Sequence, residues 1–462
     1  MAAAVTVSPR RRSLIFANVV LSCIATSMLA TAMSVALPDV IRDFGVSVTL
    51  GQWVTSGYSL AMAITMPLTA FLITRFPTKP LYLAGLALSI AGVALCAVAP
   101  SFPVLMAARI LQACGNGLLT AMAQIILLTI YPASKRGSVM GWYGLSVSAA
   151  PVIAPTIAGL IIDALSWRAI FWCVLPIIAV SLAFAVFVFA DVLESRPKRF
   201  DIPSFALSGV AFAGITLGVG GIGSSPLALC AAEVCVGIAA GAAFTVRQLR
   251  LPEPFLDVRT FASREFTLSV IGSMLLYFVM MGSGTIMPLY IQSILGQSAT
   301  TSALVVLPGS VAMALVSPFA GRIYDAMGMK PLFIAGAIAL LASNAGMVGL
   351  GSDSPLWVPA VWNAVRNVSI GCLMMPLLTW GTSKLPDSMT AHASALLTSL
   401  RTVAGAVGTA VFVGIMTAVA GGSLSADRAA QGMAGLSTAF VCMAASTCIL
   451  LAIAFFGVRT RK

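Results

Sequence analysis

The sequence predicts an all-α integral membrane protein with fourteen spanning helices, arranged as two six-helix halves and an inserted central pair. Three observations carry this expectation. The 462 residues are 59% hydrophobic and only 9% charged, with a mean hydropathy of +1.02, whereas a soluble domain is about a quarter charged. Fourteen apolar runs approach or exceed the roughly 20 residues that a helix needs to cross a bilayer. The basic residues collect on one side of those runs.

In chain order, the first run (13–38) follows Arg10, Arg11 and Arg12. It is too long for the apolar region of a cleaved signal peptide and reads as an uncleaved first span. Spans 2 to 6 cover 51–74, 80–99, 104–130, 138–163 and 169–190. Spans 7 and 8 cover 203–222 and 226–247, and spans 9 to 14 cover 266–291, 300–322, 331–351, 355–381, 391–419 and 435–457. Short polar or Pro/Gly-containing segments separate them. Lipid offers the backbone no hydrogen bonds, so these runs are expected to be helices rather than open strands.

Charge placement tests the count. With the N-terminus in the cytoplasm, 20 of the 26 Lys and Arg fall on the inner side, from Arg10 through Arg75, Lys79, Lys135 and Lys330 to Lys462. Only Arg42, Arg168 and Arg428 fall outside, and Arg109, Arg366 and Arg401 fall within spans. That asymmetry follows the positive-inside rule, and a single miscounted span would scramble it. Both termini are therefore expected in the cytoplasm, on a multi-pass protein of the cell membrane. The net charge of +12 is then topological, which argues against nucleic-acid binding. The nine cysteines lie in apolar runs and there is one histidine, His392. Such cysteines behave as small hydrophobes, so no disulfide, metal site or cofactor is expected.

An internal repeat divides the chain. Loop 2–3 reads AFLITRFPTKPL (70–81) and loop 10–11 reads GRIYDAMGMKPL (321–332), ending in the same Lys-Pro-Leu at an offset of 251 residues. Arg109 of span 4 and Arg366 of span 12 follow in turn. Each is followed by a loop proline, Pro132 and Pro386, and 22 residues further by a small residue, Ala154 and Gly408. Spans 1–6 thus match spans 9–14. The expected units are 1–190, the inserted pair with its linkers over 191–265, and 266–462.

The motifs then identify a resemblance. VALPDVIRDFG ends span 1, QWVTSGYSLAMAITMPLTAFL fills span 2, and ARILQACGNGLL lies in span 4. KRGSVMGWYG enters span 5, APTIAG lies within it, and SWRAIFWCVLP opens span 6. The second half has MPLYIQSILGQS, GRIYDAMGMKP and RNVSIGCLMMPLLTWG. As an ordered set over essentially the whole chain, these resemble the fourteen-span drug:proton antiporters of the major facilitator superfamily, in particular the lincomycin-efflux-like multidrug exporters. The resemblance implies the major facilitator fold and proton-driven export of amphipathic, drug-like small molecules by alternating access. Three positions depart from the family pattern. The span-1 Leu-Asp-x-Thr is replaced by Met28, Leu29, Ala30 and Thr31, and the loop 2–3 Asp and Gly by Thr74 and Pro77. The span-5 Gly-Pro-x-x-Gly-Gly is Ala154, Pro155, Thr156, Ile157, Ala158 and Gly159.

Candidate site residues follow from chemistry and motif together. A charge at bilayer depth costs about 2.5–3.5 kcal/mol on insertion scales. Arg109 and Arg366 are therefore expected to face a central cavity, with Gln112 beside Arg109, and to tune a nearby protonatable group, to bind an anionic part of the substrate, or to bond backbone carbonyls and fix helix packing. Of the 14 acids, Glu233 alone is clearly within a span, either as a carboxyl whose protonation is shifted by desolvation or as an interfacial residue without a role. Asp39 and Asp43 stand at the outer end of span 1 as weaker candidates for the proton carrier. Asp325, Gly321, Gly328 and Lys330 resemble the family's inner-gate loop, and Arg75 and Lys79 its degenerate first-half copy. Ala154, Pro155 and Gly159 suit a sliding contact in span 5, since small residues let helices approach closely. Tyr58, Met62 and Met66 share a face of span 2, and Met274 and Met281 are seven apart in span 9. Such methionines suit either an adaptable substrate surface or ordinary core. With no His/Asp or Cys/His cluster, an enzyme is not expected. The partners expected are the small-molecule substrate, protons and the lipid bilayer, with the chain a monomer. The alternative is a metabolite or lipid exporter, or a facilitator, with altered or lost proton coupling.

Overall fold

A computed structural model describes residues 8–131, 139, 142–143, 153–192, 201–222, 225–251, 254, 256–383, 385, 387–421 and 429–458. The described chain is almost wholly helical. The main helices are α1 (Pro9–Phe44), α2 (Trp53–Arg75), α3 (Thr78–Ala97), α4 (Phe102–Ile130), α5 (Ile153–Ala164), α6 (Ala169–Val188), α7 (Ile202–Gly220) and α8 (Leu227–Arg250). They continue as α9 (Arg264–Pro288), α10 (Ala299–Met327), α11 (Met329–Val348), α12 (Trp357–Thr382), α13 (Asp387–Val419) and α14 (Ala429–Ala452). Among the described residues, twelve helical stretches are long and apolar enough to cross a membrane. The described part of span 5 is short, and α12 falls below that apolarity because Asn363, Arg366 and Asn367 interrupt it.

Caps and turns set the helix ends. The Ser8 hydroxyl accepts from the Arg11 amide ahead of Pro9 at the first position of α1, and Gly45 closes the helix in the left-handed conformation. Such caps satisfy groups that the helix itself leaves unpaired. Asp201 caps α7 and accepts a two-point contact from Arg247 of α8, 2.7 Å at its shortest. Those hydrogen bonds hold the Asp201 carboxyl below the usual carboxylate range.

α1 and α6 run antiparallel. Arg11 Nε donates to the Val188 carbonyl (2.9 Å) and Asn18 Nδ2 to that of Ser181 (2.8 Å), while Arg168 pairs with Asp43 at the other end. The end of the bundle where α1 begins is called the near face, and the other the far face. Within the first half α1 packs on α4 and α6, α3 on α4 and α6, and α2 on α4. The same set recurs eight helices later, with α9 on α12 and α14, α11 on α12 and α14, and α10 on α12. Each half encloses its own apolar core, around Leu29, Leu119 and Phe171 in one and Phe333, Leu373 and Phe440 in the other. The halves join where α2 packs along α13, and the inserted α7 lies against both, with α8 outside it.

The repeated turn is built differently in the two copies. Gly328 joins α10 to α11 with φ 76° and ψ −176°, its amide donating to the Tyr324 carbonyl at 2.8 Å. Its counterpart Pro77 precedes α3 at φ −56° and ψ 143°. Only glycine adopts the Gly328 conformation without strain. Gly328→Ala is expected to cost about 1–3 kcal/mol. Gly321→Ala, in the same helix with open space around a new Cβ, should be stabilising by about 0.5–1 kcal/mol. Thermal unfolding of the two variants in detergent checks this contrast.

Candidate functional site

Arg109 lies in α4, seven residues (about 10 Å) from the far-face end. It is 0% exposed. Its Nε donates to the Val54 carbonyl of α2 (3.3 Å), Nη1 to Gln112 Oε1 (2.7 Å), and its guanidinium stacks 4.1 Å from the centre of the Tyr58 ring. Asn116, two turns along α4, donates to the Tyr58 hydroxyl, and its Nδ2 lies 4.0 Å from Met62 Sδ. The predicted Arg109–Gln112 pair is thus brought together, with Tyr58 and Met62 as neighbours. Among the described residues, Nη2 of Arg109 and Nε2 of Gln112 have no hydrogen-bond partner.

Arg366 occupies the equivalent helix, nine residues (about 13 Å) from the far-face end of α12, and is 2% exposed. Its surroundings differ from those of Arg109. Nη2 donates to Asn363 Oδ1, Asn363 Nδ2 donates to the Val306 carbonyl of α10 (3.2 Å), and Asn367 Nδ2 donates to the Asn363 carbonyl (3.0 Å). The repeat offset carries Tyr58 onto Gly309, and Gly309 leaves the room that Asn363 and Asn367 fill. Nη1 of Arg366 is without a partner among the described residues. Arg401 lies in α13, 14 residues from its near-face end at Asp387 and 18 from its far-face end at Val419. It is half-buried, stacks 4.8 Å from the centre of the Tyr277 ring, and leaves Nε unpartnered. Met281 lies beside Tyr277 against Gly405 of α13.

Other predicted residues fall elsewhere. Met66 is 7% exposed and packed as core, and Met274 joins the apolar cluster of Phe266, Leu396 and Phe244. Seven-residue spacing selects a helix face but not what covers it. Glu233 is half-buried on α8, where its backbone lies against Gly214 of α7, away from both buried arginines. Asp39 pairs with Arg42, and Asp43 with Arg168 and Trp167, all at the far face. Arg75 is exposed, and the Lys79 amide donates to Asp191 Oδ1 at 2.9 Å. Gly321 and Lys330 are half-buried. The Asp325 side chain lies outside the described residues. Ala154 and Pro155 are buried in α5.

Among the described residues, every hydrogen bond between the two halves is at the far face. Asp163 of α5 accepts from the amides of Ala299 (3.3 Å) and Thr300 (2.9 Å), which open α10. Gln292 Nε2 donates to the Val35 carbonyl (3.1 Å), and the Thr49 and Thr417 hydroxyls meet at 3.3 Å. One turn before Asp163, Gly159 allows this approach, since a Cβ there would stand 2.9 Å from the Ala299 oxygen and the Thr300 Cα. Asp163, Asn363 and Tyr277 were not singled out from sequence. Asn363, three residues before Arg366 on one helix face, was legible by spacing, but the other two depend on tertiary contact. Asp163→Ala and Gly159→Ala should each speed amide exchange at Ala299 and Thr300 about tenfold or more, because hydrogen bonds to a charged acceptor contribute about 1.5–3 kcal/mol. Hydrogen–deuterium exchange by mass spectrometry reads this directly.

Comparison with known proteins agrees with this fold. The sequence profile of the Major Facilitator Superfamily matches residues 15–409. The uncharacterized MFS-type transporter YcnB of Bacillus subtilis is 34% identical over 94% of this chain and 92% of its own. The lincomycin resistance protein LmrB of Listeria monocytogenes is 33% identical over 92% of each chain. A multidrug resistance protein B homolog of Mycobacterium tuberculosis is 29% identical over 86% of this chain and 75% of its own. Among solved structures, a bacterial homolog of the human lysosomal transporter Spinster, inward-facing and unoccupied, superposes with a TM-score of 0.71 at 16% identity, covering 98% of both chains. A POT family transporter gives 0.73 at 15% identity, over 98% of this chain and 97% of that one. With its repeated six-helix halves and a family match over most of its length, the chain belongs to the Major Facilitator Superfamily and is a multi-pass membrane transporter.

Proposed function

We propose that the protein exports amphipathic, drug-like compounds across the cytoplasmic membrane by alternating access, with protons as the exchanged ion. The near face, where α1 begins and α14 ends, is the cytoplasmic one. One observation carries the reading: equivalent helices of the two halves each bury an arginine, beneath a far face held shut by short-range contacts between the halves. Hydrogen bonds such as those of Asp163 can form in one state and break in another, as rigid-body rocking of two halves requires. The drug-resistance relatives support the substrate class. Gly321, Gly328 and Lys330, with Asp325, are proposed as the near-face gate, and Ala154, Pro155 and Gly159 as the sliding contact of α5.

A second reading, an exporter of metabolites or lipids or a facilitator with altered coupling, is favoured by a specific observation. Leu29, where the family carries its span-1 acid, is 0% exposed in the apolar core, and Glu233 stands apart on α8. Transport into inverted membrane vesicles separates the readings. Under proton exchange, added substrate dissipates an imposed pH gradient and an uncoupler abolishes uptake, whereas under the second reading neither occurs. In either case Arg109→Ala and Arg366→Ala should lower transport by more than about tenfold, consistent with loss of charged contacts of 1.5–3 kcal/mol, while the protein remains folded by size-exclusion chromatography. Full export by both variants would reduce the two arginines to packing residues.

A further inference from the structure

The three arginines within the spans share one electrostatic problem. None of them forms an ion pair among the described residues, and each leaves a nitrogen unpartnered: Nη2 of Arg109, Nη1 of Arg366 and Nε of Arg401. Their neighbours are the Val54 carbonyl, the amides of Gln112 and Asn363, and the rings of Tyr58 and Tyr277. Those groups supply dipoles and quadrupoles but no negative charge. Water would satisfy the free N–H groups and still leave the charge uncompensated, and an uncompensated buried charge is costly. The sequence cannot supply the missing charge from the spans. Of its 14 Asp and Glu, only Glu233 lies more than one turn inside an apolar run, and it sits where α8 meets α7.

The cations occupy two levels. Arg401 lies 14 residues from the near-face end of α13 and 18 from its far-face end, and is half-buried beside Tyr277. Arg109 and Arg366 are closer to the far face and fully buried, under the contacts of Asp163, Gln292 and Thr49 that close it. In the state described here, the arginine that keeps some exposure is therefore the one nearer the near face.

We propose that the exported compound is an amphipathic organic anion, an oxyanion group (carboxylate, sulfonate or phosphate ester) on an apolar body. The proposal rests on the exporter reading and names its substrate class. The oxyanion meets Arg401 first, with Tyr277 and Met281 against its apolar part, and passes to Arg366 and Arg109 once the far face opens. Guanidinium suits this task, because its planar fork binds oxyanions in two-point contacts and its charge does not titrate away. A cationic compound would meet like charge at both levels.

The test compares three probes on one scaffold: naphthalene-2-carboxylate, its neutral amide, and the 2-naphthyl trimethylammonium cation. Purified protein is reconstituted in proteoliposomes without a pH gradient, and a tenfold potassium gradient with valinomycin sets the lumen positive relative to the bath for the carboxylate and the amide and negative for the cation, so that each charged probe is tested with its own driving force. Carboxylate accumulation approaching tenfold, with little of the other two, is the expected result. Arg401→Gln should reduce carboxylate uptake about tenfold or more, and Arg401→Lys should restore part of it. Circular dichroism and size-exclusion profiles identify any variant that fails to fold, and saturation binding of the carboxylate to Arg401→Lys then serves in its place. Preferential uptake of the cation or amide, or unchanged carboxylate uptake by Arg401→Gln, would overturn this inference and leave the exporter reading standing. Uptake of none of the three by the unaltered protein overturns both.

Discussion

Hydrocarbon accepts no hydrogen bonds, and the architecture follows from that constraint. Every backbone amide within the spans must bond inside its own segment, so the chain resolves into helices. The side chains that helices cannot satisfy alone must then find one another across helix contacts. Arg109 does so through a carbonyl of α2 and the ring of Tyr58, and Arg366 through Asn363, itself anchored to a carbonyl of α10. In each half the buried arginine ties the fourth helix of the repeat to the second, the pair whose packing recurs between halves. Membrane helices gain little from the hydrophobic effect against one another, so these polar ties and the close approaches at small residues set the geometry.

The duplication keeps backbone positions and lets chemistry diverge. Gly328 and Pro77 stand at the same point of the repeated turn, one with positive φ and the other with φ fixed by its ring. Tyr58 and Gly309 stand at the same point of the repeated helix, one giving an aromatic face and the other space for two asparagines. A duplicated scaffold fixes where helices meet. What the meeting residues do is then free to differ.

The fold was largely legible in the sequence because the bilayer acts on every span in the same way. Apolar length and the sidedness of Lys and Arg report a solvent boundary rather than any one contact, and the described helices lie where the apolar runs put them. Arg109 and Gln112 were legible for a local reason, since three residues on a helix is one face. The Asp163 cap on α10 was not, because it joins residues 136 apart whose meeting depends on how the halves pack. Met66 and Met274 show the converse limit. Their spacing places them on helix faces, but the same thioether suits a packed core or a binding surface, and only the neighbouring helix decides between them.

Charge links the buried arginines to the departure at span 1. An exporter of cations works against an inside-negative membrane potential and needs another ion to drive it. An exporter of anions does not. Moving one negative charge outward gains about 2.3 kcal/mol for each 100 mV, enough by itself for a concentration ratio of tens. If the cargo is an anion, the potential alone can drive its export, so that under the second reading, without proton exchange, the family's span-1 position is free for packing. Leu29 fills it, fully buried in the core of the first half. The excess of cations and the missing acid are then two consequences of one choice of cargo.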